Sequence, residues 1–137
     1  MTNVYLVDAS AIVQLPEPEV AAVVGPLLVD GSAATCGLIE LALLGRMMDA
    51  GARTEVSMTR RAAFRWLPTD DDLRRALEVQ ASLLKDGYHG AGLRPLVVAA
   101  VAERHGVIVM HRDAAFDRIA KVTGQPVRWV GPESGVR

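Results

Sequence analysis

The stretch VVAAVAERHGVIVMHRDAAFDRIA, residues 97–120, decides the fold class of this chain. It predicts a helix, then an apolar β-branched strand over residues 107–110, then a second helix that begins at Asp113. The start of the chain repeats this order, because the apolar run at residues 3–7 leads through Asp8 into a short helix. Strands that alternate with helices predict an α/β fold, with a mainly parallel sheet covered on both faces.

The rest of the chain continues the alternation. We predict further helices over residues 19–29, 38–50, 54–65, 71–85 and 95–105, and further strands over residues 33–36 and 127–130. Gly51 is expected to end the helix at 38–50, and Thr69 or Asp70 to cap the helix at 71–85. We expect a single domain over residues 1–131 and a loose tail over residues 132–137.

Composition narrows the class of protein. The chain has 137 residues, of which 50% are hydrophobic and 23% charged, as in one ordinary globular domain. With 15 Lys and Arg against 16 Asp and Glu, bulk charge alone would not hold a nucleic acid, although a local basic face remains an alternative. The single cysteine, Cys36, excludes an internal disulfide and a cysteine-rich zinc site. No apolar run reaches the roughly 18 residues of a membrane helix, and the chain begins unlike a signal peptide, so we expect a cytoplasmic protein.

Three carboxylates follow predicted strands. Asp8 comes directly after the first strand, Asp113 lies just past the strand at 107–110, and Glu40 falls in the first helical turn after the second strand. Because ligands of open α/β sheets bind beyond the carboxyl ends of the strands, we expect these acids at one edge. Carboxylates that repel one another favour a hard divalent cation, Mg²⁺ or Mn²⁺, which would polarise a phosphodiester and activate a bound water.

Each of these acids also has a purely structural interpretation. Asp8 and Asp113 both precede helices and could serve only as N-caps, and Glu40 could be an ordinary acid at a helix start. The metal-site hypothesis requires the three carboxylates to gather around one ion. An Arg94 guanidinium lying between them would contradict it.

Three segments resemble a known family. VYLVDASAIV (4–13), GLIEL (37–41) and the stretch at 97–120 resemble the PIN domain, in particular the VapC toxins of bacterial type II toxin–antitoxin pairs. The resemblance implies a PIN-like three-layer α/β/α fold and a metal-dependent endoribonuclease, with Mg²⁺ as cofactor. It implies an RNA substrate, a homodimer and a cognate antitoxin that inserts a peptide into the active groove. Asp8, Glu40 and Asp113 match the family's catalytic and metal-binding acids, and Ser10 matches a hydroxyl that orients the first acid.

The chain departs from the family pattern at two positions. Pro95 and Ala115 stand where the family usually has aspartates, and Arg94 precedes Pro95. Asp117, one helical turn after Asp113, could serve as an auxiliary acid or be an ordinary solvated charge. The acidic site is therefore predicted to be incomplete, and the alternative is a catalytically weak or silent PIN-fold protein that binds RNA or a protein partner.

Several cations are candidates for RNA contact. Three of them form a basic stripe on a predicted helix, which could instead be an ordinary solvated face. The other two lie near the expected groove, and the histidine among them could be a loop residue without a function. The candidates are Arg60, Arg61, Arg65, Arg112 and His89. Trp66 is predicted to be a packing residue, and His111 a buried residue at a strand end.

A phosphotransfer domain with an aspartyl nucleophile is a further class with a similar sheet. It would need a second acid where this chain has Ser10, or a lysine after the strand at 107–110, and neither is present. The chain has no GxGxxG, Walker A, HExxH or GxSxG pattern, so nucleotide-binding folds, zinc peptidases and serine hydrolases lack support.

Overall fold

A computed structural model of the chain, which describes residues 3–132, contains one five-stranded sheet. The strands are β1 (Tyr5–Val7), β2 (Ala33–Thr35), β3 (Arg65–Trp66), β4 (Ile108–His111) and β5 (Val127–Trp129). They lie in the order β3-β2-β1-β4-β5, and every neighbouring pair is parallel. The predicted α/β class with a mainly parallel sheet is confirmed.

Seven helices connect and cover these strands within residues 3–132. They are α1 (Ala9–Ile12), α2 (Pro18–Val29), α3 (Gly37–Leu44), α4 (Ala50–Ala63), α5 (Asp72–Lys85), α6 (Leu93–His105) and α7 (Ala114–Thr123). None of the helices in the described part of the chain is long and apolar enough to cross a membrane.

The sheet is covered on both faces because successive strand residues point to opposite sides. Leu6 and Val109 belong to a core cluster shared with α3, α5, α6 and α7. Val7 and Met110, the next residue on each strand, belong to a second cluster shared with α1 and α2. All four side chains are fully buried, and burial of each such side chain contributes about 1.5–3 kcal/mol. The predicted three-layer α/β/α architecture is thereby confirmed.

The middle of the chain departs from the predicted boundaries. α3 ends at Leu44 with Gly45 as its C-cap, so Gly51 does not end it. Gly51 instead lies in the first turn of α4, because the Asp49 side chain accepts a hydrogen bond from Ala52 N at 2.7 Å and starts the helix there. The helix predicted to end at Arg65 ends at Ala63, and Arg65 belongs to β3, a strand of only two residues that is too short to show an alternating pattern.

The first turn of α5 also differs from the prediction. Its N-cap is Asp71, which makes no side-chain capping hydrogen bond, rather than Thr69 or Asp70. Asp72 organises this turn instead: it accepts a hydrogen bond from Asp70 N and pairs with Arg104 on α6. The predicted domain boundary at residue 131 stays a prediction, and the predicted loose tail lies almost entirely outside the described residues.

Candidate active site at the carboxyl edge of the sheet

Parallel pairing of β1 with β4 brings Asp8 and Asp113 to the same edge. Val7 and Met110 end their registered pairing there, and Asp8 N donates a hydrogen bond to Met110 O at 2.9 Å. Asp8 follows β1 directly, and Asp113 lies in the turn between β4 and α7. The two acids, which are distant in the sequence, are therefore neighbours in the fold.

The Asp8 carboxylate is fully buried and rigidly held. Its Oδ2 accepts hydrogen bonds from Ser10 N at 3.0 Å and from Ser10 Oγ at 2.7 Å, which caps the short helix α1. Ser10 Oγ in turn accepts a hydrogen bond from Arg112 N at 3.0 Å. Ser10 therefore ties Asp8 to the turn after β4 and fixes the orientation of the carboxylate; its role as an orienter of a metal ligand stays a prediction.

Asp113 has a similar structural task at the start of α7. Its Oδ1 accepts a hydrogen bond from Ala115 N at 2.9 Å, so the side chain is the N-cap of this helix. Its side chain is 33% exposed, in contrast to that of Asp8. The interpretation of both acids as N-caps is confirmed, and each has one carboxylate oxygen left for another partner.

That partner is Arg94. Its Nε donates to Asp8 Oδ1 at 3.2 Å, and its Nη2 donates to Asp113 Oδ2 at 2.7 Å. Arg94 lies in the first turn of α6, directly before the buried Pro95. One guanidinium therefore bridges the two carboxylates, and the pocket carries one positive charge between two negative charges.

Glu40 is occupied by a different arginine. Arg60 Nε donates to Glu40 Oε1 at 2.8 Å, Arg60 Nη2 donates to Oε2 at 2.7 Å, and Thr35 Oγ1 also donates to Oε2. Burial would raise the pKa of Glu40, but the hydrogen bonds from Arg60 and Thr35 and the charge of Arg60 together hold this pKa below its usual value. Arg60 also stacks on the Phe64 ring, with 4.4 Å between its guanidinium carbon and the ring centroid. Glu40 is thus ionised and fully paired.

In this arrangement the three carboxylates do not fit a divalent cation. Each oxygen of Asp8, Glu40 and Asp113 already accepts a hydrogen bond from the protein. Over residues 3–132 no three His, Cys, Asp or Glu side chains come together in a group that could hold a metal ion. The gathering of three acids around one ion, expected from the sequence, is absent from the described residues, and the reason is the pair of arginines.

The predicted RNA-contact residues divide into two groups. The prediction that Arg60 lies on an exposed basic stripe is wrong, because its side chain is buried against Glu40. Arg112 pairs with Glu17 at 2.5 Å and its side chain is only 17% exposed, so little of it faces solvent. Exposed side chains are found at Arg61, Arg65 and His89, whose contacts with RNA stay predictions.

His111 lies beside the pocket and is fully buried, as predicted. Its Nδ1 accepts a hydrogen bond from Asp113 N at 3.2 Å, which assigns the remaining proton of the neutral ring to Nε2. Burial lowers the pKa of His111 below its usual value, although the nearby carboxylates of Asp117, Asp8 and Asp113 oppose this. Asp117 Oδ1 is 3.5 Å from Nε2 and half exposed, so it faces His111 and solvent rather than Arg94.

Two further residues of this edge were not predicted as functional. Thr35 ends β2 and holds Glu40, and the same strand-end rule that located Asp8 would have indicated it. Trp66 ends β3, and its side chain is 55% exposed rather than packed in the core. A cavity of about 190 Å³ opens beside Glu40; it is lined by Thr35, Glu40, Arg61, Phe64 and Trp66.

Comparison with known proteins decides the family. The chain is 39% identical to Ribonuclease VapC21 of Mycobacterium tuberculosis over 132 residues, which cover 95% of this chain and 96% of that protein. It is 37% identical to Ribonuclease VapC51 of the same species over 133 residues, which cover 93% of each chain. The chain belongs to the VapC ribonuclease family. Membership in VapC confirms the family resemblance and sets aside the phosphotransfer alternative.

The fold agrees with solved VapC-type structures. The chain superposes on DNA-bound VapBC from Salmonella typhimurium with a TM-score of 0.73, at 12% identity, over 93% of this chain and 98% of that one. No protein-family model matches the chain. The VapC assignment therefore depends on the full-length relatives, and the solved structure supports the fold.

Proposed function

We propose that this chain is the endoribonuclease toxin of a type II VapBC toxin–antitoxin pair and that it hydrolyses RNA at the Asp8–Asp113 pocket. One observation carries the proposal: a chain that is 39% identical to a VapC ribonuclease over 95% of its length has two strand-end acids side by side at the carboxyl edge. Active sites of such sheets lie at this edge.

Arg94 and Asp113 supply the chemistry of the proposed reaction. The Arg94 side chain is 30% exposed, and its guanidinium offers N–H donors that match the oxygens of a phosphodiester. When a phosphate oxygen accepts those donors, Asp113 Oδ2 is freed to accept a proton from the attacking water, whose oxygen forms a bond to phosphorus. The P–O bond to the leaving ribose oxygen then breaks, and that oxygen takes up a proton from solvent. Mg²⁺ or Mn²⁺ uptake, which the family resemblance implies, remains a prediction, and none of these steps runs through a metal ion.

A protein partner is part of the proposal. The solved structures that share this fold include VapBC complexes, such as VapBC-1 from nontypeable Haemophilus influenzae with a TM-score of 0.70 at 16% identity over 92% of this chain and 96% of that one. Exposed leucines on α3, α5 and α6 give this chain the apolar surface that a protein partner covers. They are Leu41, Leu73, Leu77 and Leu93. We propose a cognate antitoxin as this partner, and the homodimer and the cytoplasmic location stay predictions.

The test is cleavage of a defined RNA by the purified full chain. We expect wild type to cut the RNA and Asp8→Asn to be inactive, since the amide cannot balance the charge of Arg94. Glu55→Gln, which removes an exposed carboxylate on α4, is the matched control and should cut like wild type. Equal activity in wild type and Asp8→Asn would move the reaction away from this pocket.

A catalytically silent VapC-type protein that binds RNA or its partner is the second candidate. The ion pairs of Arg94 favour it, because they offset one of the two negative charges of the acids in the resting chain. Binding of RNA without cleavage by wild type would support it. Pro95→Asp sharpens the test, because a gain of cleavage in this variant would identify a pocket that is assembled but lacks one acid.

A further inference from the structure

The guanidinium of Arg94 lies where a cation is needed between two strand-end carboxylates. Its Nε is 3.2 Å from Asp8 Oδ1, and its Nη2 is 2.7 Å from Asp113 Oδ2. We propose that Arg94 is a built-in counter-ion that occupies the position of a divalent cation, so that the pocket binds no Mg²⁺ or Mn²⁺ until Arg94 moves out. The inference rests on the proposed placement of the reaction at this pocket, but its test uses no RNA.

A metal ion would have to compete with Arg94 for the same two atoms. The other oxygen of Asp8 is held by Ser10, and the other oxygen of Asp113 is held by Ala115 N, both as helix caps. Mg²⁺ coordinates carboxylate oxygens at about 2.0–2.1 Å, much closer than a guanidinium nitrogen lies. The two cations therefore exclude each other, by space and by repulsion.

The backbone of Arg94 is fixed, and this explains why the guanidinium stays in the pocket. Arg94 lies in the first turn of α6, and the residues from Pro95 to Ala102 that follow it are all buried. Asp8 is fully buried, so that loss of Arg94 would leave a buried negative charge without compensation. The position of α6 and the charge of Asp8 both hold the side chain where it is.

The side chain of Arg94 can nevertheless leave without moving the helix. It is 30% exposed and Asp113 is 33% exposed, so the pocket is open to solvent on this side. Rotation about the side-chain bonds of Arg94 would uncover one oxygen of each aspartate and leave both helix caps intact. The pocket would then offer the paired oxygens that Mg²⁺ and Mn²⁺ prefer.

The experiment is calorimetric titration of the full chain with MgCl₂ and, separately, with MnCl₂. We compare wild type with Arg94→Ala, which removes the guanidinium, and with Arg94→Lys, which keeps a charge. Arg74→Ala is the matched control, because Arg74 is paired with Asp71 on the surface of α5. We expect no saturable binding to wild type, to Arg94→Lys or to the control. We expect saturable binding to Arg94→Ala that is at least about tenfold tighter than the weakest affinity the titration can detect, a difference of about 1.4 kcal/mol.

A double variant locates the ion. Asp8→Asn combined with Arg94→Ala should lose the binding that Arg94→Ala gains. If Arg94→Ala is not folded by circular dichroism, Arg94→Gln replaces it, since glutamine keeps part of the side chain and its hydrogen bonds without the charge. Binding that is equally tight in wild type and in the folded Arg94 variant would overturn the proposal, and so would a folded variant that binds no metal.

Failure of the counter-ion proposal and failure of the proposed function give different results. Metal binding that appears only without Arg94 would support the counter-ion even if no variant cut RNA. Cleavage by wild type at the Asp8–Asp113 pocket, together with equal metal binding in all variants, would overturn the counter-ion and leave the ribonuclease proposal intact.

Discussion

Two arginine–carboxylate sites lie at the same edge of the sheet and differ in their access to water. At the end of β2 the Arg60 and Glu40 side chains are 10% and 11% exposed, and two hydrogen bonds join them side by side. At the ends of β1 and β4 the Arg94 and Asp113 side chains are 30% and 33% exposed. The same chemistry therefore makes a buried structural pair of Arg60 and Glu40, the closed pair, and an accessible pair in which Arg94 bridges Asp8 and Asp113, the open pair.

The difference shows that the type of residue does not by itself decide its task. Glu40 and Asp8 both follow strands and both pair with an arginine. Glu40 has both oxygens fixed by Arg60 and Thr35, and little of either member of the pair is exposed although a cavity opens beside them, so solvent replaces these partners less easily than it replaces the partners of Asp113. Arg94, the partner of Asp8, also pairs with the partly exposed Asp113. Another cation or a phosphate can therefore reach the Arg94–Asp113 pair from solvent.

The largest expected effect comes from breaking the closed pair. Arg60→Ala leaves the Glu40 carboxylate buried without its countercharge, and we expect a loss of about 3–5 kcal/mol in the free energy of unfolding. Urea denaturation measures it. The neighbouring Arg61→Ala is the control, since Arg61 is exposed and should change stability by less than about 0.5 kcal/mol. A similar small change for Arg60→Ala would show that water reaches Glu40.

Breaking the open pair should lower the free energy of unfolding by less, and added metal ions should restore part of this loss. Arg94→Ala removes one hydrogen bond from each aspartate, and we expect a loss of about 1–3 kcal/mol, because solvent hydrates Asp113 and enters the space that the Arg94 side chain vacates beside Asp8. Added MgCl₂ should recover part of this loss in Arg94→Ala and none of it in Arg60→Ala. Thermal denaturation with and without MgCl₂ measures both. Equal recovery in the two variants would remove the distinction between the sites.

Acid should weaken the closed pair over a defined range of pH. The pKa of Glu40 is lower in the folded chain than its ordinary value of 4.5, so the unfolded chain takes up the proton first as the pH falls. The pair therefore stabilises the fold above about pH 4.5, and this contribution is lost as the pH falls through the folded-state pKa. Urea denaturation of wild type and Glu40→Gln across this range measures it. The variant should show a shallower loss, and Glu55→Gln should follow wild type.

The smallest effects are expected at the exposed arginines of this edge. Arg61→Ala and Arg65→Ala should each weaken binding of single-stranded RNA and reduce the slope of log K against log salt by about 0.7 per lost phosphate contact. Fluorescence anisotropy at several salt concentrations measures this. Arg74→Ala on α5 is the control, because Arg74 is an exposed arginine that is already paired with Asp71. An equal effect of Arg74→Ala would indicate nonspecific attraction.

The sequence was sufficient for the parts of this site that depend on local order. The strands before Asp8 and Asp113 were predicted from their apolar runs, and the rule for parallel sheets then brought the acids together. Arg94 was placed near the pocket only by the family resemblance, because it precedes Pro95, which stands where the family usually has an aspartate. Local patterns and one topological rule therefore predicted that the two acids are neighbours, whereas the arginine between them was named only as the observation that would contradict a metal site.

The closed pair could not be predicted in the same way. Arg60 reaches Glu40 only because α4 turns this residue inward, and the helix begins earlier than expected, at the Asp49 cap. The sequence of the helix alone does not tell which of Arg60 and Arg61 is buried and which is exposed. A spacing of four residues between Arg60 and Phe64 was the one local sign, since it places the guanidinium over a buried ring.

Asp8 and Asp113 each begin a helix with one oxygen and face the pocket with the other. Loss of either N-cap typically costs about 1 kcal/mol of stability, whether or not RNA is ever cut. A descendant of this chain without hydrolytic activity would therefore still be under selection to retain both aspartates. Without the identity to VapC ribonucleases, their presence in a sequence would consequently be weak evidence of a working nuclease, and the residue that faces them across the pocket is the more informative marker.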